Sequence, residues 1–261
     1  MALGTVFAVF PSWDVWVAAR FFDPEAAKFP LAVEYEWNMV RRAANWVPFL
    51  LLAPALFTVL RKLVFPSERM RMAPSIALYL LASFLIGPGL ASNVLLKENW
   101  GRPRPNSVQQ FAGAASFQPW WRPSRTCKRN CSFVSGEASQ AYWTVAPASL
   151  APPQIRPIVL GAAMVFGTAV GALRVVFGRH FVTDILFVGL ITIAIVMALY
   201  RVLLDPLRRN DARLERGVER VSIGLHRLIG AALGAAGQVL AGAGSSLRST
   251  GQHLHKRVAC L

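Results

Sequence analysis

Residues 72–96 read MAPSIALYLLASFLIGPGLASNVLL and lie between Arg71 and Lys97 without a single charge. A helix of roughly 17–25 apolar residues is long enough to cross the hydrocarbon core of a bilayer. Four more uncharged runs of this kind occupy residues 43–60, 138–155, 157–173 and 185–200. Five such runs so close together favour a membrane protein over a soluble protein with buried helices.

The composition points to the same class. Of the 261 residues, 54% are hydrophobic and 16% are charged, whereas a soluble domain typically carries about 25% charged residues. These values exclude disordered and collagen-like chains, and three cysteines are too few for a disulfide scaffold. A net charge of +15 would suggest a nucleic-acid partner in a soluble protein. Here the cations are spread over the ends of apolar runs, so we expect no nucleic acid.

The chain begins with an apolar segment, residues 1–10, which Pro11 and Asp14 follow. We interpret this segment as a short first span or the end of one, because it has neither the basic n-region nor a convincing cleavage site of a signal peptide. With the five longer runs it predicts an all-α, polytopic membrane helix bundle of about six spans over residues 1–204.

Basic loops set the expected orientation. The connection at residues 61–71 carries four cations against one glutamate, and short basic loops favour the cytoplasmic side. The connections at residues 97–137 and 174–184 would then face the periplasm from a bacterial inner membrane. The first of these is also basic, against the rule, so we expect its cations to have a function.

The composition changes after Asp205, where apolar residues recur at spacings of three or four among charged ones. These residues are Leu214, Val218, Val221, Leu225 and Leu228. The pattern predicts a basic amphipathic tail, residues 205–261, on the cytoplasmic side. The tail would lie on the inner leaflet or pair with another copy of the chain. For residues 228–247, which are uncharged but rich in Gly and Ala, we favour an interfacial segment over a seventh span.

The two outer connections carry groups suited to a phosphate. Lys97, Arg104 and Arg174 supply cations, and arginine can bind phosphate oxygens through two parallel hydrogen bonds. Ser135 and Gly136 open the fourth run with a hydroxyl and backbone N–H groups, where the helix dipole also favours an anion. A single cation at a span end is usually a snorkelling anchor, so the prediction depends on the combination.

His180 and Asp184 are four residues apart and share one face of a helix. The carboxylate can accept from one ring nitrogen and leave the other as a nucleophile. A lone histidine near an interface is usually structural, but this one accompanies the cations described above.

The ordered set Lys97-x6-Arg104-Pro105, Ser135-Gly136 and Arg174-x5-His180-x3-Asp184 resembles the signature of the type 2 phosphatidic acid phosphatase superfamily. The resemblance implies hydrolysis of phosphate esters or diphosphates through a phosphohistidine, without a metal or cofactor. By position it makes His180 the nucleophile and Asp184 the residue that orients it. The implied phosphate-binding residues are Lys97, Arg104, Ser135, Gly136 and Arg174.

Two positions depart from that signature. Leu173 stands where the family usually has serine, which removes one hydroxyl. Glu137 stands where the family has the histidine that protonates the leaving oxygen. Glu137 is then either a protonated acid in a dry pocket or a sign of a substrate whose leaving group needs little help. A carboxyl pKa of about 4.3 in water leaves both interpretations open, since burial raises it and cations lower it.

Other residues of the outer connections have two interpretations each. Cys127 and Cys131 are spaced for a local disulfide, which an oxidising periplasm would permit. Arg102 and Arg179 extend the phosphate site or attract anionic head groups. The aromatic residues favour an interfacial belt over contacts with an acyl chain or sugar; they are Phe117, Trp120 and Trp121.

These observations predict a membrane lipid phosphatase. Lipid A or its precursors, undecaprenyl diphosphate, phosphatidylglycerophosphate and phosphatidic acid all fit. The SFVSGE variant of the second motif, residues 132–137, is similar to lipid A 4′-phosphatase-type members. The alternatives are a lipid phosphotransferase and a catalytically silent phospholipid-binding protein. The second is disfavoured because binding alone does not need a nucleophile.

Overall fold

The computed structural model describes residue 7 and residues 9–258. Within this part, side chains are described up to residue 236 and at residue 238. Its helices are α1 (Ser12–Ala19), α2 (Tyr35–Val64), α3 (Pro74–Asn99), α4 (Gly136–Trp143), α5 (Val145–Ser149), α6 (Arg156–Val176), α7 (Val182–Arg208) and α8 (Asp211–Val258). The described residues contain no β-strand, only two isolated bridges. The predicted all-α class is confirmed.

Four helices, α2, α3, α6 and α7, are long and apolar enough to cross a membrane. They contain four of the five uncharged runs, so these spans agree with the prediction. The first span predicted at residues 1–10 lies almost wholly outside the described residues.

The remaining run, residues 138–155, differs from the prediction. It forms α4 and α5, which a break at Thr144 separates, and each is too short to cross a bilayer. Hydroxyls of Thr144 and Ser149 donate to carbonyls three residues back, local bonds that compete with regular helix geometry. Most residues of both helices are buried, so this run is an internal element. An apolar run by itself does not show whether its neighbours are lipid or protein.

Small residues and hydroxyl groups hold the bundle around α4. The Ser139 hydroxyl lies 2.8 Å from the hydroxyls of Ser92 on α3 and Thr192 on α7. On α6, a Cβ at Gly171 would lie 2.3 Å from the Ile185 side chain of α7. Glycine thus permits the close helix contact that membrane bundles use. These contacts fix the ends of α3, α4, α6 and α7 that carry the predicted site.

A second compact unit consists of residues 59–71 and 212–261. In it, Lys62 Nζ lies 3.4 Å from the carboxylate of Glu219. The Ser222 hydroxyl donates to a backbone carbonyl of the short segment at 2.7 Å. These contacts attach the beginning of α8 to the C-terminal end of α2.

The predicted amphipathic segment of the tail lies within α8. Its apolar residues Val221 and Leu228 are exposed. Within the described residues, α8 is not among the helices apolar enough to cross a membrane.

Candidate active site

The connections at residues 97–137 and 174–184 meet at a cavity of about 400 Å³ in the larger compact unit. His180 and Glu137 lie in its wall beside five cationic side chains. These cations are Arg41, Lys97, Arg104, Arg174 and Arg179. One carboxylate against five cations leaves a strongly positive cavity, which suits a phosphate group.

His180 occupies the turn between α6 and α7, with its ring 2% exposed. Its Nδ1 lies 2.7 Å from the backbone carbonyl oxygen of Ser132. A carbonyl oxygen can only accept, so this hydrogen bond assigns the proton to Nδ1 and leaves Nε2 unprotonated. Burial lowers the pKa of His180 to about 4, and the imidazole is therefore neutral at pH 7.

Asp184 lies behind His180 rather than in direct hydrogen bond with it. Its Oδ2 is 3.8 Å from His180 Nδ1, which is beyond hydrogen-bond range. That oxygen instead accepts from the Ser132 hydroxyl at 2.5 Å and from the Phe181 N–H at 2.8 Å. The prediction that Asp184 accepts directly from the histidine is thus corrected. Asp184 acts on the ring through its charge and through Ser132, whose carbonyl is the actual acceptor.

Arg102 differs from both of its predicted roles. Its guanidinium is fully buried and does not line the cavity. It donates to Asp184 Oδ1 at 2.5 Å and to Asp14 Oδ2 at 2.7 Å. Asp14 in turn accepts from the backbone N–H of Thr183 at 3.0 Å. A buried charge needs such partners, so Arg102 fixes the first turn of α7 and holds Asp184 in place.

Glu137 lies between two arginines at the start of α4. Its Oε1 is 2.8 Å from Arg41 Nη1 and 3.6 Å from Arg174 Nη1. Burial acts to raise the pKa of Glu137, but the charges of Arg174 and Arg41 outweigh it and hold that pKa below its ordinary value. The side chain is therefore a carboxylate at neutral pH. Its Oε2 is buried without a hydrogen-bond partner.

The N-terminus of α4 is held close to α3. Ser135 is the N-cap residue, and its hydroxyl accepts from the Ala138 N–H at 3.3 Å. A Cβ at Gly136 would lie 2.4 Å from Oδ1 of Asn93 on α3. Gly136 lines the cavity, whereas Ser135 is fully buried. The hydroxyl of Ser135 therefore caps the helix, and Gly136 presents the helix terminus to the cavity.

The connection after Arg104 folds back to fix that side chain. Arg104 donates through Nε to the backbone carbonyl of Asn130 at 3.0 Å and through Nη2 to its Oδ1 at 2.8 Å. Cys127 and Cys131 form a disulfide that encloses Asn130 in a short loop. The local disulfide that the spacing permitted is therefore present.

Two of the three predicted belt residues of this connection pack against the start of α7, and the interfacial belt stays a prediction. Trp120 stacks on Phe187 with ring centroids 4.0 Å apart, and Phe117 packs edge-on against Phe181 at 5.2 Å. Trp121 is 40% exposed. The first two rings therefore cover the start of α7.

Sequence reasoning missed Arg41, Ser132 and Asn130. Arg41 and Arg42 directly precede the predicted span at residues 43–60. Their position there could have indicated a further cation for the site. The roles of Ser132 and Asn130 depend on backbone carbonyls, which no residue pattern reveals. In the described part of the chain, no cluster of three His, Cys, Asp or Glu residues forms a metal site.

The PAP2 superfamily profile matches residues 76–208, which contain all three motifs. The chain belongs to the PAP2 superfamily. It is similar to a lipid A 4′-phosphatase of Francisella tularensis subsp. novicida, with 32% identity over 70% of this chain and 83% of that protein. It is also similar to proteins of the same name from Rhizobium leguminosarum and Rhizobium etli. Each shares 30% identity over 76% of this chain, covering 90% and 82% of the respective relatives.

No solved structure gives a significant match. Within the part of the chain that the structure describes, four helices are long and apolar enough to cross a membrane. Together with the family and these relatives, they make the protein a multi-pass bacterial membrane phosphatase that acts on lipids.

Proposed function

We propose that this PAP2 phosphatase removes a sugar-linked phosphate from a lipid A-type substrate, with His180 as the nucleophile. The observation that carries the proposal is the hydrogen bond from His180 Nδ1 to the Ser132 carbonyl. It leaves Nε2 as the unprotonated nitrogen of a ring in the wall of a cation-lined cavity. The three relatives named lipid A 4′-phosphatase support this substrate class.

In the first step, His180 Nε2 attacks phosphorus and the bond to the sugar oxygen breaks. The oxygen leaves with a proton taken from water or from the phosphate monoanion. The phosphorylated ring carries a positive charge, which the Ser132 carbonyl and the nearby Asp184 carboxylate stabilise. Lys97, Arg104 and Arg174 neutralise the phosphoryl oxygens, the main source of catalysis in phosphoryl transfer.

In the second step, water attacks the phosphohistidine and releases inorganic phosphate. Glu137 is the proposed general base that takes the proton from this water. Its lowered pKa supports this role over the protonated acid that the family position suggests, because Arg41 and Arg174 stabilise the charged form. Breaking the phosphorus–nitrogen bond returns His180 to its neutral form. Glu137 then releases its proton to the solvent, which completes the cycle.

We also propose that the site faces the periplasm from an inner membrane. Disulfides persist in the periplasm and are rare in the cytoplasm, and Cys127–Cys131 adjoins the cavity through Asn130. The basic connection at residues 61–71 favours the opposite, cytoplasmic side for its own end of α2. The amphipathic face of α8 would then meet the inner leaflet.

The test is phosphate release by the purified wild type and the His180→Ala variant, with EDTA present. The substrates are lipid A, undecaprenyl diphosphate, phosphatidylglycerophosphate and phosphatidic acid. We expect the wild type, but not His180→Ala, to release phosphate from lipid A when no acceptor lipid is present. Release by the variant at the wild-type rate would refute the nucleophile, and a strict need for an acceptor lipid would instead identify a phosphotransferase.

A further inference from the structure

A second cavity, of about 380 Å³, adjoins the site. It shares three residues, Arg104, Asn130 and Arg179, with the wall of the first cavity. All of its lining residues come from the connection after α3 or from the turn between α6 and α7. None of them belongs to the four membrane-spanning helices. The second cavity therefore extends from the phosphate site through the outer connections.

The lining of the second cavity carries positively charged and hydrogen-bonding side chains beside apolar surface. Arg104, Arg129 and Arg179 contribute three cations, and no carboxylate is present among its lining residues. The uncharged polar residues are Asn106, Ser107, Thr126 and Asn130. Such a lining offers hydrogen-bond donors and acceptors for hydroxyl groups and a positive potential for an anion.

Arg104 forms the partition between the two cavities. Its guanidinium is held by Asn130 through two hydrogen bonds, at 3.0 and 2.8 Å, and the disulfide loop fixes Asn130. Because the two cavities have Arg104, Asn130 and Arg179 in common, a group attached to the phosphate at His180 lies next to the second cavity. Arg129 lies beyond this partition and lines only the second cavity.

We propose that the second cavity is a head-group subsite, which binds the sugar next to the scissile phosphate together with a second anionic group on the same head group. The proposal rests on the proposed function, since the primed position in the relatives' names places the phosphate on the second sugar of a disaccharide. A head group of this kind has the hydroxyls and the further anion that the lining fits. A phosphatidic acid head group ends at its phosphate and would leave the subsite unused.

The test compares Arg129→Ala with the wild type on three substrates. These are lipid A with phosphates on both sugars, lipid A with the 4′-phosphate alone, and phosphatidic acid. We expect the wild type to prefer the doubly phosphorylated lipid. In Arg129→Ala, kcat/KM for that lipid should fall about tenfold, mainly through KM, and the preference between the two lipid A forms should disappear. Ser107→Ala should lower kcat/KM for both lipid A forms and leave kcat/KM for phosphatidic acid unchanged.

Arg122→Ala is the matched control, because Arg122 is an exposed cation of the same connection that lines neither cavity. It should keep both the preference and the rate. Equal losses on all three substrates in Arg129→Ala, or no loss on any, would overturn the subsite while the phosphatase activity stood. Hydrolysis of no lipid A form by the wild type would instead overturn the proposed function.

Discussion

At the scale of single residues, the protonation of His180 sets the acidic limit of the reaction. Burial lowers its pKa to about 4, below the usual 6.5, so the nucleophile is lost by protonation only as the pH falls through about 4. We expect kcat/KM to show no loss from His180 between pH 7 and pH 5, and to fall tenfold per unit below about pH 4. Rates between pH 3.5 and 8 test this, and an acidic midpoint near 6.5 in the free enzyme contradicts it.

The charge state of Glu137 gives a second prediction. As a general base, the Glu137 carboxylate acts when water hydrolyses the phosphohistidine. It is therefore needed whether a sugar oxygen or a phosphate has left when the phosphohistidine formed. Glu137→Gln should lower kcat about 10²- to 10⁴-fold, the usual range for acid–base catalysis, on lipid A and on undecaprenyl diphosphate alike. The phosphohistidine should accumulate and be trapped by rapid quenching. Loss on the monoester alone, with no trapped intermediate, would restore the protonated-acid interpretation.

Arg41 shows what a residue outside the motifs contributes. It lies on α2, outside the region that the family profile matches, and it hydrogen-bonds Glu137 at 2.8 Å. Arg41→Ala should reduce kcat/KM about 10- to 10²-fold, as expected for a lost hydrogen bond between charged groups of roughly 1.5–3 kcal/mol. It should also raise the pKa of Glu137. Arg42→Ala, at the exposed neighbouring position, is the control and should stay within about twofold of wild type.

At the scale of elements, the turn between α6 and α7 positions the nucleophile through Gly178. This residue has φ +61°, and a Cβ there would lie 2.3 Å from the ring of Phe29. Gly178→Ala should therefore displace His180, reduce activity at least tenfold and lower the melting temperature. Gly161→Ala in α6 is the matched control, since nothing lies within 4 Å of its Cβ. It should retain activity, because alanine is a better helix former. Equal melting temperatures in the two variants would argue against strain at the turn.

The elements also show how far sequence reasoning reaches. Motif spacing located Lys97, Arg104, Arg174 and His180, because residues at the ends of spans on one side of a membrane converge. It did not distinguish the internal pair α4–α5 from a membrane span, because hydrophobicity is alike for protein-facing and lipid-facing helices. It also assigned Arg102 either to the phosphate site or to the attraction of anionic head groups, and the structure shows neither role. Its buried partners, Asp14 and Asp184, are 170 positions apart in sequence, and only the folded chain brings them together.

At the scale of the whole molecule, the orientation in the membrane decides which leaflet supplies the substrate. The proposed periplasmic site places Cys127 and Cys131 outside, and the predicted tail places Cys260 inside. In Cys131→Ser the Cys127 thiol is released from its disulfide. A membrane-impermeant maleimide should therefore label it in spheroplasts, which lack the outer membrane but keep the inner membrane intact. The Cys127→Ser/Cys131→Ser variant keeps only Cys260 and serves as the control. It should be labelled only after the inner membrane is broken. The reverse pattern would place the catalytic cavity in the cytoplasm, where lipids are made before export. The disulfide loop would then lie in a reducing compartment, and Asn130 would lose its covalent support.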